Sequence, residues 1–315
     1  MERTGSNQMT ISQTIQRLKL YKKIILGTAQ FTMPYGICNN KDHISKSSIK
    51  KIFVLANQNK IRFIDTALNY GNNDNILKDY IDNKHQIITK IPKFKRHNKY
   101  SKEATRTIIN DSLLKLKIKK FHAVLLHEPN QLLSKDGNKI YKNLLNLKKN
   151  KLTKNIGISV YSLKKTIKIL TKFKFDLVQL PFNILNQKFN NKNFIELVKK
   201  KKIKIHARSI FLQGVLINKK IRKKKYFSRW SSLFRKIDMI KKYNKINDLD
   251  LNISFCVAQK WIDKIIIGFD NYPQLKSILN SKIKKLNLST IPTKINKSLN
   301  DPREWTKSKL IKQKN

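Results

Sequence analysis

The chain has 315 residues, 40% of them hydrophobic, with 15 Phe, 10 Tyr and 3 Trp, which supplies a sizeable core and excludes wholesale disorder. Its 69 Lys and Arg against 19 Asp and Glu give a formal charge of +50, a balance that by itself suits nucleic acid or an anionic membrane surface. Lysine is nevertheless spread along almost every helical stretch beside abundant Asn and Ile, the signature of A/T-rich codon usage, so the charge reads as compositional and no dedicated nucleic-acid partner is expected.

Residues 1–22 are polar and basic and lack the continuous apolar segment of a secretory signal, so they are expected to form a flexible extension outside the core. From residue 23 onward, eight short apolar runs mark strands: 24–26, 63–64, 87–88, 123–126, 156–158, 177–180, 203–205 and 265–267. Segments with apolar residues at helical spacing lie between them, at 47–59, 102–116, 139–150, 163–171, 193–201 and 250–261. Eight β-α pairs predict one closed (β/α)8 TIM barrel over 23–290. An open doubly wound sheet would carry a G-x-G-x-x-G turn after its first strand, and Leu26-Gly27-Thr28-Ala29-Gln30 is not one. Between the seventh and eighth strands a basic stretch, 219–225, and an aromatic one, 226–234, predict a loop and an extra helix over one face. The irregular tail, 291–315, is expected to fold across a barrel mouth.

No apolar run reaches the roughly 18 to 20 residues of a membrane span, so no membrane association is expected. Cys38 and Cys256 have no close His or Cys neighbours; they are expected to be buried thiols in a cytoplasmic, reducing compartment, with no metal site.

In such barrels the reacting groups come from the C-terminal ends of strands and the following loops. Asp65, Lys90, His127, Ser159 and Gln179 fall there, and Tyr70 sits just beyond Asp65. Taken singly, each has a structural explanation: an Asp caps the next helix, a Lys is solvated, a His is a satisfied core residue. Ionisable residues ending strands from several repeats would instead converge on one pocket, which is the reason to read the chain as an enzyme.

The sequence resembles the aldo-keto reductase family in Phe63-Ile64-Asp65-Thr66-Ala67 with Tyr70-Gly71, Ile88-Thr89-Lys90, Leu125-Leu126-His127, Ile156-Gly157-Ile158-Ser159, Val178-Gln179-Leu180-Pro181-Phe182-Asn183, Ala207-Arg208-Ser209 with Gln213-Gly214, and Ile266-Ile267-Gly268. The resemblance runs in the family's order from about residue 23 to 280. It implies a tetrad in which Tyr70 is the general acid and Lys90 the ammonium that eases its ionisation. Asp65 would hold Lys90, and His127 would orient a small-molecule carbonyl substrate, sugar-like or anionic. For the cofactor, NADP(H) rather than NAD(H) as the family default, it implies Ser159 and Gln179 at the nicotinamide carboxamide and Arg208 at the stacking position. Ser209 to Gly214 would lie at the pyrophosphate, and Gly268, Asp270 and Asn271 beside the adenosine.

Some positions depart from the family pattern. Val160 replaces an Asn, Arg208 an aromatic residue, and Phe269 and Gln274 stand where NADP-preferring members have Lys and Arg, with Lys276 and Lys282 as substitute charges. Arg208, the 226–234 segment, Arg303 and Trp305 are candidate substrate contacts. Two other readings use the same chain: a polyanion-binding barrel acting through 199–202 and 219–225, and a cofactor-sensing regulatory subunit without turnover.

Overall fold

The apolar runs pair in parallel, and the first pairs with the last. In the computed structural model, which describes residues 11–37, 43–93, 101–288 and 295–305, β1 (Ile24–Gly27), β2 (Phe63–Asp65), β3 (Gln86–Ile91), β4 (Phe121–Leu126), β5 (Thr153–Ser159), β6 (Leu177–Pro181), β7 (Lys204–Arg208) and β8 (Lys264–Ile267) form a closed barrel in chain order. All six expected helices form, with boundaries within four residues of expectation: Lys46–Gln58, Lys102–Leu116, Gly137–Lys149, Leu163–Lys172, Lys192–Lys200 and Asp248–Val257. Their apolar faces pack on the barrel's outside in one continuous core. A smaller cluster, Ile25, Ile88, Ala123, Leu125, Leu177 and Ile266, with Phe63 against it, fills the inside.

Strand side chains alternate between these two cores with period two. Two residues beyond Ile25, Phe63, Ile88, Leu125, Leu177 and Ile266, the next inward positions toward the C-terminal mouth are Gly27, Asp65, Lys90, His127, Gln179 and Gly268. On β5 and β7, Ile156, Ile158, Ile205 and Ala207 belong to the outer core, which leaves Ser159 and Arg208 to complete the ring. One residue per strand thus defines the mouth. Gly157 is required lower in the wall, because a Cβ there would meet the Leu177 carbonyl oxygen at 2.3 Å.

The N-terminal segment departs from expectation. Ile11–Lys23 is a helix, and Leu20 is fully buried in the outer core. Tyr21 donates to the Leu279 carbonyl at 3.3 Å, and Lys23 Nζ to the carbonyls of Val257, Gln259 and Ile262 at 3.1, 3.3 and 2.9 Å. These contacts explain why 11–22 is not a flexible arm: Leu20 covers the outer core, and the ammonium satisfies carbonyls at the end of another helix. Residues 1–10, and Cys38, lie outside the described residues.

Between β7 and β8 three further helices, Lys219–Arg222, Lys225–Ser228 and Ser231–Tyr243, precede Asp248–Val257, the helix of the seventh repeat, one extra helix having been expected. Tyr226 and Phe227 are buried against the tail helices Lys297–Asn300 and Pro302–Trp305. Tyr226 donates to the Ser298 carbonyl at 2.8 Å, Trp305 Nε1 donates to the same carbonyl at 2.9 Å, and the Phe227 and Trp305 rings meet edge to face at 5.1 Å. Of the expected tail, 291–294 and 306–315 lie outside the described residues. Among the described residues no helix is long and apolar enough to cross a membrane.

Candidate active site

The loop after β2 brings Tyr70 back over the mouth, and a polar network fixes it. Asn73 Nδ2 donates to Thr28 Oγ1 at 2.6 Å and to Thr66 Oγ1 at 2.9 Å, while Thr28 Oγ1 donates to the Asp65 carbonyl at 3.0 Å. Thr32 Oγ1 donates to the Tyr70 carbonyl at 2.6 Å, and Gly71 takes a left-handed φ of +53°, which favours glycine.

Below that loop Lys90 is almost completely buried, donating to Asp65 Oδ1 at 2.5 Å and to the Thr66 carbonyl at 2.9 Å. The second Asp65 oxygen accepts from Gln179 Nε2 at 2.7 Å, so three strands tie the carboxylate in place. Lys90 Nζ lies 5.5 Å from the Tyr70 ring centre, and the His127 ring stands edge to face with Tyr70 at 6.5 Å. The four residues expected to act together are therefore gathered at one end of the barrel.

Burial dominates their electrostatics. It raises the Tyr70 phenol above its usual range; the Asp65 carboxylate adds to the rise, and the Arg208 guanidinium opposes it. Burial lowers Lys90, while Asp65 pulls it back up. His127 is held down to about 4 by burial, then by the charges of Lys90 and Arg208, so near neutrality its imidazole is uncharged. Lys90, the cation expected to ease Tyr70's ionisation, is paired with Asp65 and lies 5.5 Å from the ring centre, and Arg208 is a second cation that acts in the same direction.

A groove of about 1010 Å³ runs from Asp65, Tyr70 and Gln179 past Arg208, Ser209 and Gly214 to Gly268, Asp270 and Asn271. Gln179 Oε1, buried at its inner end, has no hydrogen-bond partner among the described residues. Ser159 pairs with Gln179 across β5 and β6 but faces a neighbouring pocket of about 720 Å³ that His127 also lines. In the loop after β7, Ser209, Leu212, Gln213 and Gly214 all have left-handed φ, an unusual concentration for non-glycine residues.

Several nominated residues also have structural work. Asn271 caps the helix Tyr272–Leu279 by accepting from Gln274 N at 2.9 Å, and Asp270 Oδ2 accepts from Gln274 Nε2 at 3.3 Å. A Cβ on Gly268 would meet Gln30 Nε2 at 2.6 Å, so the glycine admits that side chain to the groove wall. Phe269 is buried against Phe31. The lysines lining the groove are Lys219 and Lys220, not Lys276 or Lys282. Trp305 and the 226–234 segment line none of the mouth pockets, because their rings hold the tail; Arg208 and Arg303 do line them.

Tyr35, Tyr161 and Lys188 also surround the mouth and were not singled out from the sequence. Each lies in a loop that follows a strand, after β1, β5 and β6, where the strand-end rule could have pointed, but none ends an apolar run itself.

The chain thus closes an eight-stranded parallel barrel with a buried Asp-Lys pair beneath a tyrosine at its C-terminal mouth. The sequence profile of the aldo/keto reductase family matches residues 23–293, and the chain belongs to that family. No curated protein matches it in sequence. Among solved structures, aldo-keto reductase AKR11C1 of Bacillus halodurans in its holo form superposes with a TM-score of 0.70 at 13% identity, covering 89% of this chain and 95% of its own. Glycerol dehydrogenase AKR11B4 of Gluconobacter oxydans gives 0.65 at 15%, covering 89% and 92%. A Pseudomonas aeruginosa chain described as an aldo-keto reductase gives 0.61 at 18%, covering 82% and 88%. At these identities the structural likeness speaks for the fold alone, and the profile match carries the family.

Proposed function

We propose that the protein reduces an aldehyde or ketone with NAD(P)H, and oxidises the alcohol in reverse, with Tyr70 as general acid and base. The observation that carries this reading is Tyr70 held over the Lys90–Asp65 pair, beside His127, where the long groove opens.

The residues of that groove fit a nicotinamide dinucleotide. Gln179 Oε1, buried and unpartnered, is an acceptor suited to a carboxamide N–H, with Ser159 beside it. The left-handed turns from Ser209 to Gly214 suit a pyrophosphate, since such backbone turns amide hydrogens toward anions. Gly268, Asp270 and Asn271 border the adenosine end, and Lys219 and Lys220 supply positive charge for a 2′-phosphate, which supports NADP(H) over NAD(H). Bound there, the cofactor supplies the hydride.

The chain's own groups then manage the proton. Tyr70, its phenol kept protonated by burial, donates to the carbonyl oxygen as negative charge develops there. Arg208 and Lys90 stabilise the phenolate left behind, which retrieves a proton from solvent. Neutral His127 donates a hydrogen bond to the same oxygen and fixes the carbonyl's direction. The substrate expected is a small carbonyl compound, sugar-like or anionic.

Nucleotide absorbance followed against a panel of aldehydes and ketones tests the reading. Turnover with at least one carbonyl, and a higher kcat/KM for NADPH than for NADH, is expected. Tight nucleotide binding without turnover of any panel member would instead point to a regulatory protein.

A further inference from the structure

Next to the tetrad lies a second set of charges, of which only Arg208 bears on the Tyr70 proton. The Tyr161 ring touches two guanidinium groups, with Arg208 Cζ 4.1 Å and Arg303 Cζ 3.5 Å from its centre. Arg208 is the β7 member of the mouth ring and donates to the Val160 carbonyl at 3.1 Å. Arg303 comes from the tail and is fixed by buried Asp301 through two hydrogen bonds of 2.9 and 2.6 Å. Half-buried Lys188, from the loop after β6, completes the group.

The charges do not balance. Among the described residues Asp301 is the one carboxylate lining this cavity, and Arg303 engages both its oxygens; Glu128, in the adjoining pocket, also acts on Arg303. Among the described residues neither Lys188 nor Arg208 has a carboxylate within ion-pair distance. Burial lowers Lys188 to about 8; Asp301 opposes the fall, and Arg303, Arg208 and Lys297 add to it. Cations gathered in a partly desolvated space repel one another until an anion joins them.

The space has the right place for one. A cavity of about 220 Å³ lined by Tyr35, Tyr161, Lys188, Arg208 and Arg303 shares Tyr35 and Arg208 with the long groove. It shares Tyr161, Lys188 and Arg303 with the pocket that holds His127. Lys188 does not line the groove itself, so its charge is not explained by a nucleotide there.

We propose that Lys188, Arg208 and Arg303 form an oxyanion pocket that selects a carbonyl substrate whose non-reacting end carries a carboxylate or a phosphate. The reacting end rests on the reductase reading above. The Arg208 guanidinium presents N–H groups in a plane suited to an oxyanion, Arg303, held by Asp301, adds positive charge beside it, and Tyr161 packs against both planes. Lys188 adds a point charge from a third element.

Two measurements test this on the full chain, using Lys188→Gln and, as a charge-matched control on an exposed helix position, Lys168→Gln. Calorimetry with inorganic phosphate and with acetate, without nucleotide, should show binding that Lys188→Gln weakens by about tenfold and Lys168→Gln leaves alone, as expected for loss of one charge-assisted contact. Steady-state kinetics should compare glyceraldehyde with its 3-phosphate, and butanal with succinic semialdehyde. The native chain should prefer one charged member, whose identity separates phosphate from carboxylate, and Lys188→Gln should shrink that preference about tenfold, mainly through KM. Equal kcat/KM for charged and neutral partners, or equal effects of the two substitutions, would overturn the pocket. Anion binding that depends on Lys188 in a chain that reduces no carbonyl would keep the pocket and remove the reductase reading.

Discussion

Lys90 shows how one residue joins stability to chemistry. Its ammonium, about 1% exposed, persists only because Asp65 and the Thr66 carbonyl replace its lost water, and Asp65 in turn needs Lys90 and Gln179. Removing one partner leaves a buried charge unmatched. Lys90→Met is therefore expected to cost about 3–5 kcal/mol in urea unfolding, and the double variant Asp65→Leu with Lys90→Met to cost less than the two single changes added. Additive losses would mean that the pair is not coupled. Asp65, Tyr70, Lys90 and His127 were legible in the sequence because three of them end apolar runs and Tyr70 follows within one loop. Tyr161 and Lys188 were not, since nothing in a loop's composition says which way it folds back.

The strands were the most legible elements, each an Ile-, Leu- or Val-rich run of two to four residues that the structure extends by up to four. The period-two alternation within them also carries the mouth ring, so fold and site come from the same pattern. The N-terminal helix was missed because its basic, polar stretch outweighed a single core residue, Leu20. A helix that looks polar can still dock when one Leu fills a core site and one Lys satisfies three carbonyls. Leu20→Ala should lower unfolding free energy by about 2–5 kcal/mol, the range for a fully buried leucine. A change below about 0.5 kcal/mol would show that Ile11–Lys23 adds nothing to the barrel's stability. The extra helices before β8 were foreseen as one and number three, because the basic run interrupts them at spacings too short for periodicity to register.

At the scale of the molecule, the barrel holds three neutral histidines, buried His206 and half-buried His122 and His127, that make stability depend on pH. Burial lowers His206 to about 3, His122 to about 4 and His127 to about 4, the surrounding lysines and, for His127, Arg208 adding to the fall. An unfolded histidine titrates near 6.5, so below that pH the unfolded chain binds more protons than the folded one. Stability from these groups is thus complete above about pH 7 and is lost progressively as the pH falls from 6.5 toward 4. Thermal unfolding should show Tm level between pH 7 and 8 and declining below 6.5, with a shallower decline in His206→Gln. A Tm unchanged down to pH 4.5 would contradict this assignment.

The excess of positive charge over the whole surface does not by itself select a function, since lysines lie on nearly every outer helix. The proposed function rests instead on the few charges drawn inward to the mouth, and Tyr70 is the residue on which that account turns. The most direct test is single-turnover reduction of a good carbonyl substrate by the native chain and by Tyr70→Phe, with NADPH affinity measured alongside by fluorescence. The account predicts a loss of about 10²- to 10⁴-fold in the hydride-transfer rate, the usual contribution of a positioned acid, with nucleotide affinity retained within about threefold. Equal rates in the two proteins would contradict it.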